Sequence, residues 1–306
     1  MPTWGSLAYS PLVPRPRRAA LLAALATAGL VARESRRTAS YGDATARAAA
    51  IRRKVAVATW TPATEGRLMT RIVIDAAPVQ AYVDSRRAAG AKGLTIMHVV
   101  GAAAARSVHA VPEANTRVRG GRVVPFADVS VGFAVDIGQG TDLAPYKVER
   151  ADELTPAEIA TQVWQGVKAL RAGTDEGFNT STWVAGWMPT PFMRPMMLAT
   201  SYLLGGWGLP VLGQKGNPLG SVFISNVAPL GVEEVFLAPL PFARTPVYIA
   251  IGVVTDRAVV RNGTVTAVPQ LTLCMTGDHR LVDGVQCALF FEALKGYLAA
   301  PEQLGA

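Results

Sequence analysis

The sequence predicts an α/β fold, a mixed sheet flanked by helices, on three observations. Stretches with apolar residues at every second position alternate along the chain with stretches of helical period, which argues against a helix bundle or a sandwich. The helical stretches carry their own start and stop signals. The 306 residues are half hydrophobic, enough to bury the core of one large domain or two small ones.

The elements follow in order. Residues 1–47 read as an N-terminal arm or surface helix. The first 33 residues contain no acid, and Arg15, Arg17 and Arg18 precede the run "AALLAALATAGLVA". That run also fits a signal-peptide core or a transit-like segment, but no clear cleavage site follows it. The domain proper, 48–306, opens with "AAAIRRKVAVATW". "RLMTRIVIDA" then alternates as a strand, and "PVQAYVDSRRAAGAKG" is a helix with proline first and glycine last. "LTIMHVVGAAAARSVHAVP" is a buried helix, "RVRGGRVVPF" a hairpin, and "ADVSVGFAVDIG" and "DLAPYKV" are strands. Pro145 puts the second of these at an edge or bulge. "TPAEIATQVWQGVKALRAG" is a helix with a capping box at Thr155 and Glu158. An apolar insertion spans 177–220, with three of the six tryptophans, four of the eight methionines, and only Arg194 and Lys215 charged. "GSVFISNVAPLG", "TPVYIAIGVV" and "QLTLCMT" are strands, and "AVVRNGTVTAV" is a hairpin with Asn262-Gly263 at its tip. The last helix, "DGVQCALFFEALKGYLAAP", is expected to bury Val285, Ala288, Phe291, Leu294 and Leu298. The prolines and glycines of 183–213 are expected to break that segment into pieces of about ten residues, too short to span a bilayer.

Composition narrows the partners. Net charge is +8, yet no basic run is interleaved with aromatics, so nucleic acid is excluded as a partner. Cys274 and Cys287 form no paired motif and read as packing residues of a reducing compartment. The three histidines, His98, His109 and His279, belong to no Cys/His cluster, so no metal site is expected.

His279 is the chemically interesting one. It lies in "TGDHRLVDG", between an apolar strand and an apolar helix. On one reading it is an ordinary loop histidine, Asp283 caps the last helix and Arg280 is a surface charge. On the other, a histidine held between strand end and helix start is placed as a general base for a thiol or hydroxyl at neutral pH.

These residues resemble a known family. "DHRLVDG" is similar to the His-Arg…Asp-Gly active-site signature of the 2-oxoacid dehydrogenase acyltransferases, the dihydrolipoamide acyltransferase catalytic domain. "GSVFISNVAPLGVEEV" resembles that family's Phe-Thr-Ile-Ser segment, and "IRRKVA" its opening stretch. "VPEANTRVRGGRVVPFADVSVGFAVDIGQGTDLAPYKVERADELTPAEIA" resembles its central run. The resemblance covers roughly 50–176 and 220–304. It implies a chloramphenicol acetyltransferase-like two-layer sandwich and an acyl-CoA-dependent acyltransferase. His279 would be the base that deprotonates the thiol of coenzyme A or of a dihydrolipoyl group. Ser225 would hydrogen-bond the oxyanion, rather than merely cap its own turn. Asp283 would pair with Arg52 or Arg53 to orient the loop, with Arg280, Gly284 and Asn226 in support. The family implies a homotrimer, with histidine and serine from neighbouring subunits.

The sequence also departs from the family. It carries no lipoyl domain or lipoyl attachment lysine, "ATEGRLMTRI" replaces a Pro-His-Phe-like segment, and the insertion is longer and more apolar than the usual loop. The insertion would pack on the domain, line a pocket for a long acyl chain, or lie in a membrane interface. A cytoplasmic location is expected, with membrane association through the basic N-terminus and the insertion. The alternative to an enzyme is a catalytically silent trimeric scaffold or accessory subunit of a 2-oxoacid dehydrogenase-type complex.

Overall fold

The computed structural model describes residues 66–119, 122–138 and 142–305, together with Leu25, Ala26 and Gly29. The rest of the expected arm over 1–47 lies outside the described residues, as do Arg52 and Arg53.

Strand β9 (Thr264–Asp278) organises the sheet. Its first half pairs with β8 (Thr255–Arg261) across the two-residue turn Asn262-Gly263. Both turn residues have positive φ, 50° and 79°, the geometry that favours Asn-Gly in tight hairpins. Its second half lies between β1 (Arg67–Asp75) and β7 (Val247–Ile251), antiparallel to both. The sheet then continues through β6 (Val222–Asn226), parallel to β7 and to β4 (Val131–Asp136), and ends at β5 (Leu143–Val148). Pro145 stands on this outermost strand, where a missing N–H costs no ladder bond. A separate hairpin, β2 (Thr116–Arg119) and β3 (Arg122–Pro125), lies off the sheet. The hairpin strand and "QLTLCMT", expected as two strands, are the one continuous β9.

Four helices cover one face: α1 (Ala77–Ala88), α2 (Ile96–Ser107), α3 (Pro156–Arg171) and α6 (Gly284–Ala299). The central one is α2, which packs against α3, α6 and β6. Its alanines 102–105 and Val99 and Val100 are fully buried. Small residues let its neighbours come close: a Cβ on Gly101 would lie 2.5 Å from the ring of Phe133. The predicted capping box of α3 is formed, with Thr155 N donating to Glu158 Oε2 at 2.8 Å and Glu158 N to Thr155 Oγ1 at 3.3 Å. The other face of the sheet carries a smaller cluster of Leu219, Ala243 and Tyr248 under the loop before β7. The chain thus forms the expected two-layer mixed α/β architecture.

The final helix buries Phe291, Leu294 and Leu298 as expected and corrects the other two positions of the face. Its buried stripe is Cys287, Phe290, Phe291, Leu294 and Leu298, whereas Val285 and Ala288 face outward. Both sets satisfy the helical period; the two adjacent phenylalanines bury more apolar area and set the rotation.

The insertion is also more regular than expected. It begins with α4 (Glu176–Trp187), capped by Asp175, whose carboxylate accepts from Phe178 N at 2.8 Å. Helix α5 (Thr190–Thr200) then runs without a break into a π-helical stretch, Ser201–Trp207. This run crosses Pro195, so the expected ten-residue pieces do not hold. An interior proline costs about 3 kcal/mol, which burial of Met193 and Leu204, each worth about 2 kcal/mol, offsets. Among the described residues no helix is long and apolar enough to cross a membrane.

His98 is buried at the start of α2. Thr95 N donates to its Nδ1 at 3.0 Å, so the imidazole must be unprotonated there. Burial, and then the charge of Arg87, push its pKa from 6.5 down to about 4. Between these values the unfolded chain binds a proton that the folded chain does not. Stability is therefore full above about pH 6.5 and falls as pH drops towards 4. We expect a loss of about 2 kcal/mol between about pH 7.5 and about pH 5, absent in His98→Gln, as measured by urea denaturation. Equal pH slopes for the two proteins would remove His98 as the cause.

Candidate active site

The turn that follows β9 is built on Asp278. Its backbone carbonyl accepts from Leu281 N at 2.9 Å and Val282 N at 3.0 Å. Its carboxylate takes Arg280 three ways: Arg280 N at 3.0 Å and Nε at 2.9 Å on Oδ1, and NH2 at 2.6 Å on Oδ2. Leu281 and Val282 are buried and pin the turn to the core. Between these anchors His279 is held by its backbone, N–H to Gly66 O at 3.3 Å, with the residue exposed to solvent. Asp278 is the residue that sequence reasoning missed. The available signal was an Asp whose side chain reaches the backbone N–H two residues on, the pattern of an Asx turn.

Asp283 ends the turn. Its carboxylate accepts from Val285 N at 2.8 Å and Gln286 N at 3.4 Å, capping α6. Gly284 is the first residue of α6; a Cβ there would meet nothing within 4 Å.

Ser225 lies elsewhere. It is near the end of β6, in register with Ala250, which in turn is opposite Cys274. His279 lies beyond Gly277, the partner of Val247. Five residues of strand, roughly 16 Å, separate them along the sheet. One chain therefore does not bring Ser225 and His279 together. Asn226 shapes the turn after Ser225, its Oδ1 accepting from Ala228 N at 3.1 Å.

This arrangement has counterparts. Residues 57–176 and 218–306, more than half of the chain, match the family of 2-oxoacid dehydrogenases acyltransferase (catalytic domain). The chain belongs to that family. The acyltransferase domain is 26% identical over 212 residues to the dihydrolipoyllysine-residue acetyltransferase component of the acetoin cleaving system of Bacillus subtilis. That match takes in 69% of this chain and 43% of the relative, so the chain spans less than half the length of that protein. Its fold is similar to that of a probable dihydrolipoamide acetyltransferase from Listeria monocytogenes. The TM-score is 0.61 and the identity 16%, over 87% of this chain and 95% of the other. It is likewise similar to the Azotobacter vinelandii dihydrolipoamide acetyltransferase, with TM-score 0.58 and identity 16%, over 79% and 84% of the two chains. Residues 177–217, all but the last three of the 177–220 insertion, fall between the two matched segments of the acyltransferase domain.

The cysteines of the acyltransferase domain fit the packing role expected of them. Both are buried, and burial pushes both thiols above their usual pKa. Cys287 Sγ donates to Thr70 Oγ1 at 3.3 Å. His109 is a surface residue whose Nε2 lies 3.0 Å from Asp152 Oδ2.

Proposed function

We propose that this domain moves an acyl group between coenzyme A and a second thiol or other acceptor, with His279 as general base. The carrying observation is the His279 turn: a backbone clamped by Asp278, with the imidazole in solvent, in a domain of an acyltransferase family. His279 takes the thiol proton, and the thiolate attacks the acyl carbonyl. The tetrahedral oxyanion then accepts a hydrogen bond from Ser225 Oγ. Its collapse expels the leaving thiolate, which recovers the proton from the imidazolium. Asp283, by capping α6, and Arg280, by chelating Asp278, hold the turn. A partner for Asp283 at Arg52 or Arg53 remains part of the proposal.

The roughly 16 Å of strand between Ser225 and His279 supports a site in which the serine comes from a neighbouring protomer. A homotrimer, with three sites between subunits, is the closed arrangement we propose. Work on the Azotobacter vinelandii enzyme names a serine, a histidine and, four residues after it, an asparagine in its catalytic mechanism. His279 and Asp283 here have the same spacing. The test is exchange of acetyl groups between acetyl-CoA and dihydrolipoamide. Transfer is expected. No transfer to any thiol, with no rise in Tm at millimolar coenzyme A, overturns it in favour of a silent scaffold.

We also propose that the insertion brings the enzyme to an anionic lipid surface. The outward face of the α5 run is apolar: Phe192, Leu198 (60% exposed), Tyr202 and Leu203. One turn apart on α4, Trp183 and Trp187 stack at 6.5 Å and wall an open cleft of about 440 Å³. Charge complementarity selects the partner, since residues 177–220 hold no acid and the exposed cations Arg194 and Lys215. The protein should sediment with phosphatidylglycerol vesicles. Trp187→Glu combined with Leu198→Glu should weaken this on the order of tenfold or more. Wild-type protein that stays in the supernatant overturns the proposal.

A further inference from the structure

Three arginines converge on the end of the insertion, and none has an acidic partner among the described residues. Arg117 is only 7% exposed. Its guanidinium lies over the Phe126 ring at 4.9 Å and donates through NH1 to Asn217 Oδ1, while its buried Nε has no hydrogen-bond partner. Arg119 lies over the ring of exposed Trp207 at 4.5 Å. Arg244 lies over the ring of exposed Tyr202 at 4.5 Å, donates through Nε to Ser201 Oγ at 3.2 Å and through NH1 to Val118 O. All three touch one short segment, 202–208. A Cβ on Gly206 would be 3.7 Å from Arg244 NH1, and one on Gly208 would be 3.5 Å from Arg117 NH1. Arg244 holds φ at +54°, a left-handed backbone that a non-glycine residue adopts only where its surroundings impose it.

Every ion pair among the described residues lies elsewhere. The group is thus a half-buried concentration of positive charge, and Arg119 and Arg244 lower the pKa of Arg117 after burial does. An anion that neutralises such a cluster stabilises it, and planar guanidinium forks match the oxygens of a phosphate. The aromatic rings hold the guanidiniums from one side. The cluster lies at the His279 end of the sheet: Asp278 N donates to Pro246 O at 2.9 Å, and Arg244 stands two residues before Pro246.

We propose that Arg117, Arg119 and Arg244 form a phosphate site that takes the phosphate groups of the coenzyme A substrate while its thiol lies at His279. The site rests on the acyl-transfer reading and adds to it which part of the substrate this chain grips. It contributes binding energy far from the reacting sulfur. It therefore separates coenzyme A from pantetheine, which has the same thiol arm and no phosphate.

The test compares the two thiols as acceptors from S-acetyldihydrolipoamide, in wild-type protein and in Arg119→Gln and Arg244→Gln. The wild type should use coenzyme A with a kcat/KM at least about tenfold above that for pantetheine, the weight of one charge-assisted hydrogen bond. In each variant the ratio should fall by about tenfold through KM for coenzyme A, with its kcat little changed. A wild-type ratio near one, or equal KM shifts for both thiols, overturns the site. If no thiol is acylated, the acyl-transfer reading fails by itself. Calorimetry with adenosine 3′,5′-bisphosphate then decides the site, and equal binding by wild type and Arg119→Gln overturns it. Vesicles of phosphatidylglycerol form the last arm. Loss of vesicle binding in Arg119→Gln with an unchanged KM for coenzyme A would assign the arginines to lipid phosphate and overturn the proposal.

Discussion

Replacing His279 with alanine is expected to lower kcat for acyl exchange by about 10²–10⁴-fold, the usual contribution of a positioned general base. The fold should not change. The residue is exposed, and the bond that holds it, His279 N to Gly66 O, is made by the backbone and survives the substitution. The neighbouring anchors, Asp278 with Arg280 and the buried Leu281 and Val282, are also untouched. Tm and oligomeric state should therefore match the wild type while turnover collapses. Turnover equal to wild type would end the general-base assignment.

Replacing Ser225 with alanine is expected to cost about 10²–10³-fold in kcat, the loss of one oxyanion donor. The more telling experiment mixes the two inactive proteins. If each site takes His279 from one protomer and Ser225 from its partner, random exchange between His279→Ala and Ser225→Ala trimers restores about a quarter of the sites. The number follows because a site works only where an intact histidine meets an intact serine. No recovery, once exchange of subunits has been verified with labelled protein, would place both groups in one chain and contradict the separation of about 16 Å along the sheet.

What was readable in the sequence was local. The capping pair Thr155 and Glu158, the turn Asn262-Gly263, the edge proline Pro145 and the strand-turn-helix around His279 all depend on residues a few positions apart, whose preferences act through short backbone geometry. The family resemblance added roles for His279, Ser225 and Asp283 that no spacing could supply, since Ser225 and His279 are far apart in sequence. Asp283 as an N-cap was also readable, because an aspartate before an apolar helical run satisfies the first free N–H groups wherever it stands.

Contacts between distant segments decided the rest. Phe291, Leu294 and Leu298 of α6 are buried as the helical period required, and only packing against α2 chose Cys287 and Phe290 over Val285 and Ala288 to complete the stripe. Pro195 is a helix breaker by its own chemistry, yet the helix runs through it because burial of Met193 and Leu204 outweighs one lost bond. The convergence of Arg117, Arg119 and Arg244 joins a hairpin, an insertion and a loop more than a hundred residues along the chain, and no local pattern encodes it. By itself the sequence determined the elements, their caps and the turn that carries His279. The tertiary structure decided which faces are buried, that Ser225 and His279 cannot meet within one chain, and where unpaired charge collects. The physical reason is range: hydrogen bonds and rotamer preferences act between near neighbours in sequence, whereas burial and electrostatics act between near neighbours in space.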